Sequence, residues 1–441
     1  MTRSFSFFAT ILATSIVSAA DWPQWMGPNR DDVWTETGIV ETFPASGLNF
    51  LWRKPISGGF AGPAVANGKV YVTDYARSSG DNKPAPTKRN ELQGKERVFC
   101  LDAKTGDEIW MHQYDCNYTI SYPAGPRCTP TVLGGKVYTL GAMGDLFCLD
   151  AASGRVIWSK NLPKTYKAPV PLWGYAGHPL VYRNLLICMA GGENSAVVAL
   201  DKETGKEVWT ALSTPEIGYS PPTVIEAGGV TQLLIFHGKS INSLNPDSGH
   251  LYWSEPLATA FSMAIMAPRK GGDYLFAGGH RSRSLGLKLD ASKPSATKVW
   301  QGSRTIGLAP VSGTPFVVNG VAYGIDGNGL FRAMRVDTGE HLWSTAKPVN
   351  GRDDERRSGA NEGATFVTKN GDRFFIFGEN GDLVIARLSP DKYHEVSRTK
   401  LLDPVGVGLG RSVVWSHPAY ANKCVFARND KEIVCASLAA K

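Results

Sequence analysis

The chain reads as all-β: one eight-bladed β-propeller of four-stranded antiparallel blades, closed by its N-terminal strand. Three observations carry this reading. A ten-residue phrase ending in tryptophan recurs along the chain, its copies fall 43 to 58 residues apart, and each gap between copies holds short β-rich runs broken by turn residues. Composition agrees, since 48 glycines and 27 prolines without a collagen period demand many tight turns.

In chain order, Arg3 precedes an apolar run from Phe5 to Val17, and Ser18-Ala19-Ala20 offers small residues for cleavage. Residues 1–20 therefore read as a signal peptide cut near Ala20, and the protein as exported, periplasmic or secreted. The run is too short to span a bilayer and no later stretch reaches 18 apolar residues, so no transmembrane segment is expected. Residues 21–46 read as an N-terminal extension lying across the ring, and residues 47–441 as the propeller.

The repeated phrase is LDAKTGDEIW ending at Trp110, LDAASGRVIW at Trp158, LDKETGKEVW at Trp209, LNPDSGHLYW at Trp253 and MRVDTGEHLW at Trp343. A stretched copy, LDASKPSATKVW, ends at Trp300, FLW at Trp52 is a half-copy, and LSPDKYHEVS puts Ser397 where tryptophan would stand. Between copies lie hairpins such as GPAVANGKVYVTD and TPTVLGGKVYTLG. Each unit thus supplies strands A, B and C, and the tryptophan run supplies strand D. Glycines such as Gly106 and Gly154 sit where a tight C-to-D turn needs positive φ, and Asp102 and Thr105 can bond the amides of that turn. Eight A–B–C sets are present, but only seven D strands follow them. The spare D strand is the one at Trp52, so pairing it with the C-terminal three strands closes the ring and removes the open edge.

The phrase A-x-D-x-x-T-G-x-x-x-W resembles the tryptophan-docking motif of the PQQ-type (quinoprotein) β-propeller repeat family, the PQQ-binding-like β-propeller repeat proteins. Ala199, Asp201, Thr204, Gly205 and Trp209 match it fully; Cys100 and Cys148 replace the alanine in two copies and Arg335 the aspartate in one. The start DWPQWMGPNRDDVW is also similar to exported members. The resemblance covers nearly the whole mature chain and implies the propeller fold. For the dehydrogenases of the family it implies PQQ with calcium or a lanthanide, two adjacent cysteines and a catalytic aspartate. This chain has no Cys-Cys pair, no CxxCH haem motif and no lipid-attachment cysteine near the cut. The residues themselves name no cofactor, so PQQ with calcium stands as the cofactor the resemblance offers. The expected function is a non-catalytic binding or scaffold module, with a PQQ- and calcium-dependent oxidoreductase acting on alcohols or sugars as the alternative.

Residues just before each A strand face the mouth of the central channel. They are Arg127, Trp173, Tyr175, His178, Tyr219, Arg304, Glu362, Arg411, Trp415 and His417. Aromatics with a few convergent charges suit a small-molecule, glycan or peptide pocket, and the basic members favour an anion. The alternative, that the aromatics merely plug the channel, remains open here. His178 and His417 both precede proline, in blades three apart, which predicts well-separated positions; with no HxxxH spacing, no metal site is expected. Asp353-Asp354-Glu355 reads as a solvated loop, and Asp326 as part of a turn.

Net charge is +7 and no concentrated basic face exists, which excludes nucleic acid as the partner. All seven cysteines lie after the signal segment. Cys116 and Cys128 share one D-to-A loop and form the disulfide candidate. Cys424 and Cys435 are expected to face each other across a hairpin as free thiols. The blade-one insertion, Tyr75 to Glu96, reads either as a lid or docking arm or as an ordered decoration.

Overall fold

The computed structural model describes residues 20–280, 283–351 and 363–440. The apolar leader through Ala19, Glu362 and the Asp353-Asp354-Glu355 run lie outside the described residues. Seven blades are sheets of consecutive strands. The eighth joins Ala419–Ala421, Cys424–Arg428 and Glu432–Ser437 to the N-terminal strand Asn49–Pro55, with Trp52 opposite Cys435.

The repeat has a registration cause. In every blade the tryptophan position faces one residue of strand C, and that residue is small wherever tryptophan is present. Cys100 faces Trp110, Cys148 faces Trp158, Ala199 faces Trp209, Ser243 faces Trp253, Gly286 faces Trp300 and Ala333 faces Trp343. At Gly286 a Cβ would stand 2.0 Å from the Trp300 indole nitrogen, so no side chain fits there. The pairing then slips by one residue just before the tryptophan position in all eight blades. Such a bulge turns the extra residue outward. That explains the exposed aliphatics Leu51, Ile109, Ile157, Val208 and Val299, each one place before its tryptophan.

The indole crosses to the next blade. Trp52 Nε1 donates to Ala103 O at 3.0 Å, Trp110 to Ala151 O at 3.2 Å, Trp158 to Lys202 O at 3.0 Å and Trp209 to Pro246 O at 3.2 Å. Trp300 and Trp343 reach Val336 O and Ser389 O, both at 2.9 Å. The accepting carbonyls lie in the neighbour's C-to-D turn, where Gly106 at φ 72° leaves room for the Trp52 ring. The motif therefore staples blade to blade.

Two expectations are corrected in this framework. Cys424 faces Ser437 and Cys435 faces Phe426, so the two thiols are diagonal rather than opposed. Asn429 Oδ1 accepts from Lys431 N and Glu432 N, and the hairpin centre lies one residue further towards the C-terminus. Cys116 and Cys128 are free. Strand Tyr118–Ile120 pairs with Asn90–Leu92 and holds Cys116 in the blade-one cluster, against Asp145, whereas Cys128 packs with blades 2 and 3 and donates to Tyr175 O.

The blade-one insertion is a hairpin extension: Lys69–Ser79 pairs with Asn90–Asp102. Its tip is tied down by Arg89, which donates to Thr119 O at 2.7 Å and Val170 O at 2.8 Å. Residues 22–34 run across the A-to-B end of the ring. Trp22 pairs with Val65, Val132 N donates to Pro23 O at 2.8 Å and Val33 pairs with Lys369. Between these anchors the segment dips into the channel.

Candidate functional site

That dip stoppers the channel and leaves a blind funnel of about 350 Å³ open towards the D-to-A loops. Its floor is Trp25. The His178 ring lies parallel on Trp25 at 4.7 Å, the His417 ring meets it edge-on at 6.4 Å, and Arg30 covers it at 5.2 Å. The two histidines, expected on separate sides of an open channel, thus meet on one indole. No three-residue metal-ligand group occurs among the described residues.

The two histidines are shifted in opposite directions. His178 Nδ1 accepts from Thr129 N at 3.0 Å, which places its ring proton on Nε2. Burial, then Arg30 and His417, push it well below its ordinary range, so it is neutral. His417 is buried too, but the Asp32 carboxylate at 3.1 Å and the Pro418 carbonyl outweigh burial and raise it.

Of the predicted mouth residues, Arg127, Trp173, His178, Tyr219, Trp415 and His417 line the funnel. Trp173 meets Tyr219 edge-on at 5.6 Å. Trp415 Nε1 donates to Glu379 Oε2 at 2.8 Å, which fixes its ring near Phe60 and Tyr122. Arg411 is not on the wall: it pairs with Glu379 at 2.8 Å and so braces Trp415 from behind. Tyr175 is not there either. It is buried against Gly144 and donates to Ala190 O at 2.8 Å. Arg304 is exposed in the loop between blades 5 and 6, away from the wall. From the insertion, Pro86 and Thr87 reach the funnel.

Sequence reasoning missed Trp25, Arg30 and Asp32. The available signal was three tryptophans, Trp22, Trp25 and Trp34, standing before the first repeat with no repeat role. It also missed Phe261 and Met263, between blades 4 and 5, and Phe366, in strand Thr365–Asn370, none of which belongs to a shared phrase.

Residues 94–308 match the family described as "Outer membrane protein assembly factor BamB". No curated protein matches the chain. Among solved structures, quinohemoprotein alcohol dehydrogenase from Comamonas testosteroni aligns over 96% of this chain and 81% of its own, at 14% identity and a TM-score of 0.61. A second such dehydrogenase, from Pseudomonas putida HK5, gives the same coverage and identity with a TM-score of 0.54. BamB from Moraxella catarrhalis aligns over 88% of this chain and 99% of its own at 14% identity, with a TM-score of 0.43. At such identities the likeness is one of fold. The tryptophan phrase, the eight-bladed ring and the matched stretch together make the chain similar to the PQQ-type β-propeller repeat proteins.

Proposed function

We propose that this is an exported, non-catalytic binding propeller whose blind funnel takes a small, largely aromatic ligand. The observation that carries the reading is the funnel itself: about 350 Å³, stoppered by Trp25 and walled by Trp173, Tyr219, Trp415 and Phe366. Concave, mainly apolar sites of this size with few polar groups are the usual form of small-molecule pockets.

The described wall does not fit PQQ with calcium. Calcium takes six to eight oxygen ligands, and the described lining holds no carboxylate and no Asn or Gln side chain. Three ligand carboxylates would need several free cations, yet Arg411 is engaged by Glu379, His417 by Asp32, and His178 is neutral. Among the described residues no helix is long and apolar enough to cross a membrane.

The test is a fluorescence titration with the neutral probe N-phenyl-1-naphthylamine, beside PQQ with and without calcium. Saturable one-to-one probe binding, lost in Trp173→Ala/Trp415→Ala, is expected. Calcium-dependent PQQ saturation with dye reduction would replace this reading by the oxidoreductase.

A further inference from the structure

Arg127 and Thr129 alternate along the extended stretch that leads into strand Thr131–Leu133, and both line the funnel, while Cys128 between them turns away to Tyr175 O. Four backbone carbonyls hold the Arg127 guanidinium. Nε donates to Trp173 O at 2.9 Å, one terminal nitrogen to Ser121 O at 3.1 Å and Tyr122 O at 2.6 Å, and the other to Gly125 O. The guanidinium also lies 5.1 Å from the Phe60 ring. Carbonyls and a ring orient a guanidinium but bring no negative charge. Five N–H donors are available and four are engaged here, so one remains.

Among the described residues no carboxylate pairs with Arg127, unlike Arg411 and His417 beside it. Glu96, which the guanidinium feels at longer range, is tied by the Tyr114 and Tyr118 hydroxyls and by Ala142 N. Burial pushes the guanidinium below its usual value, but an arginine stays charged in a protein. A second polar group at the same wall is unmatched: the buried Thr129 hydroxyl has no hydrogen-bond partner. A buried cation without a counter-ion is costly, and an incoming anion relieves that cost.

We propose that the funnel binds an aromatic monocarboxylate, its carboxylate against Arg127 and Thr129 and its ring among Trp25, Trp173 and Trp415. This rests on the binding-module reading and adds the ligand's charge. Among the described residues that line the funnel, Arg127 is the one cation without a carboxylate partner, and it matches one negative charge; a tricarboxylate would bury two more without partners.

The experiment is calorimetric titration of the purified chain at neutral pH with 2-naphthoate and with 2-naphthamide, which share a ring system and differ in charge. The carboxylate is expected to bind at least about tenfold more tightly, as charge-assisted hydrogen bonds do. Arg127→Gln should abolish that preference and leave the amide within about twofold; Thr129→Val should weaken only the carboxylate, severalfold. Equal affinities in the unmodified chain overturn the carboxylate assignment whether or not Arg127→Gln folds, and tighter binding of PQQ than of naphthoate overturns the single charge. If neither naphthalene binds while N-phenyl-1-naphthylamine does, this inference fails alone. If all three fail, the binding-module reading falls with it.

Discussion

The seam between blades 1 and 2 and the seam between blades 7 and 8 do the same work with different parts. In the first, Trp110 donates to Ala151 O in the C-to-D turn of blade 2, and Gly154 of that turn lies over its ring. In the second there is no such turn to dock on, because the D strand of blade 8 comes from the other end of the chain. A tryptophan at position 397 would have no continuous turn to meet. Ser397 stands there instead, its hydroxyl accepting from Phe43 N at 3.0 Å, and Phe43 packs edge-on against Phe375 at 6.5 Å. The extension thus fills the place that ring closure leaves without a motif. The seam between blades 4 and 5 makes the same point: the blade-5 turn is stretched, and Trp253 donates to Gln232 of its own blade at 3.0 Å. The tryptophan staple is missing where the next blade's turn is stretched or not continuous.

Four outcomes would break or sharpen that comparison. Trp110→Ala removes both ring burial and the staple, and should cost about 4 kcal/mol in denaturant unfolding; Trp253→Ala, half-buried and stapled to no neighbour, should cost less than half of that. Equal costs would mean that the inter-blade hydrogen bond adds nothing. Phe43→Ala should follow at about 3 kcal/mol, a large effect for a residue outside every repeat.

Asp32→Asn should cost about 2–3 kcal/mol and change the pH profile. In the unmodified chain His417 is raised, so its contribution is present below the unfolded value of about 6.5 and is lost as pH rises through the folded value. His178 is depressed, so its contribution is present above about 6.5 and is lost as pH falls. The two oppose each other. Without Asp32, burial leaves both histidines favouring the neutral form, and melting temperature should drop more steeply on acidification; an unchanged slope would contradict the ion pair. Smallest, Ser397→Ala should cost about 1 kcal/mol through the lost acceptor for Phe43 N.

Much of the ring was legible from residues alone. Blade number, closure through Trp52 and the role of the glycines followed from a phrase whose parts lie within ten residues of one another. Register was less legible: Cys424 and Cys435 were set two residues out of line because the Asn429 side chain, rather than the strand pattern, sets that turn. In the candidate site, six mouth residues reach the funnel wall, but Tyr175 and Arg411 turn away because Ala190 O and Glu379 capture their polar ends.

The amino-acid sequence by itself determined the architecture, because a local turn motif repeated at blade spacing specifies both the blade and its contact with the next. Tertiary structure alone decided what closes the channel and what charge its wall presents. Arg30 meets Pro179 across 149 positions, His417 meets Asp32 from the far end of the chain, and Arg127 is held by carbonyls rather than by an acid. The Arg30–Pro179 and Asp32–His417 contacts join residues that share no period, so only the closed ring brings them together.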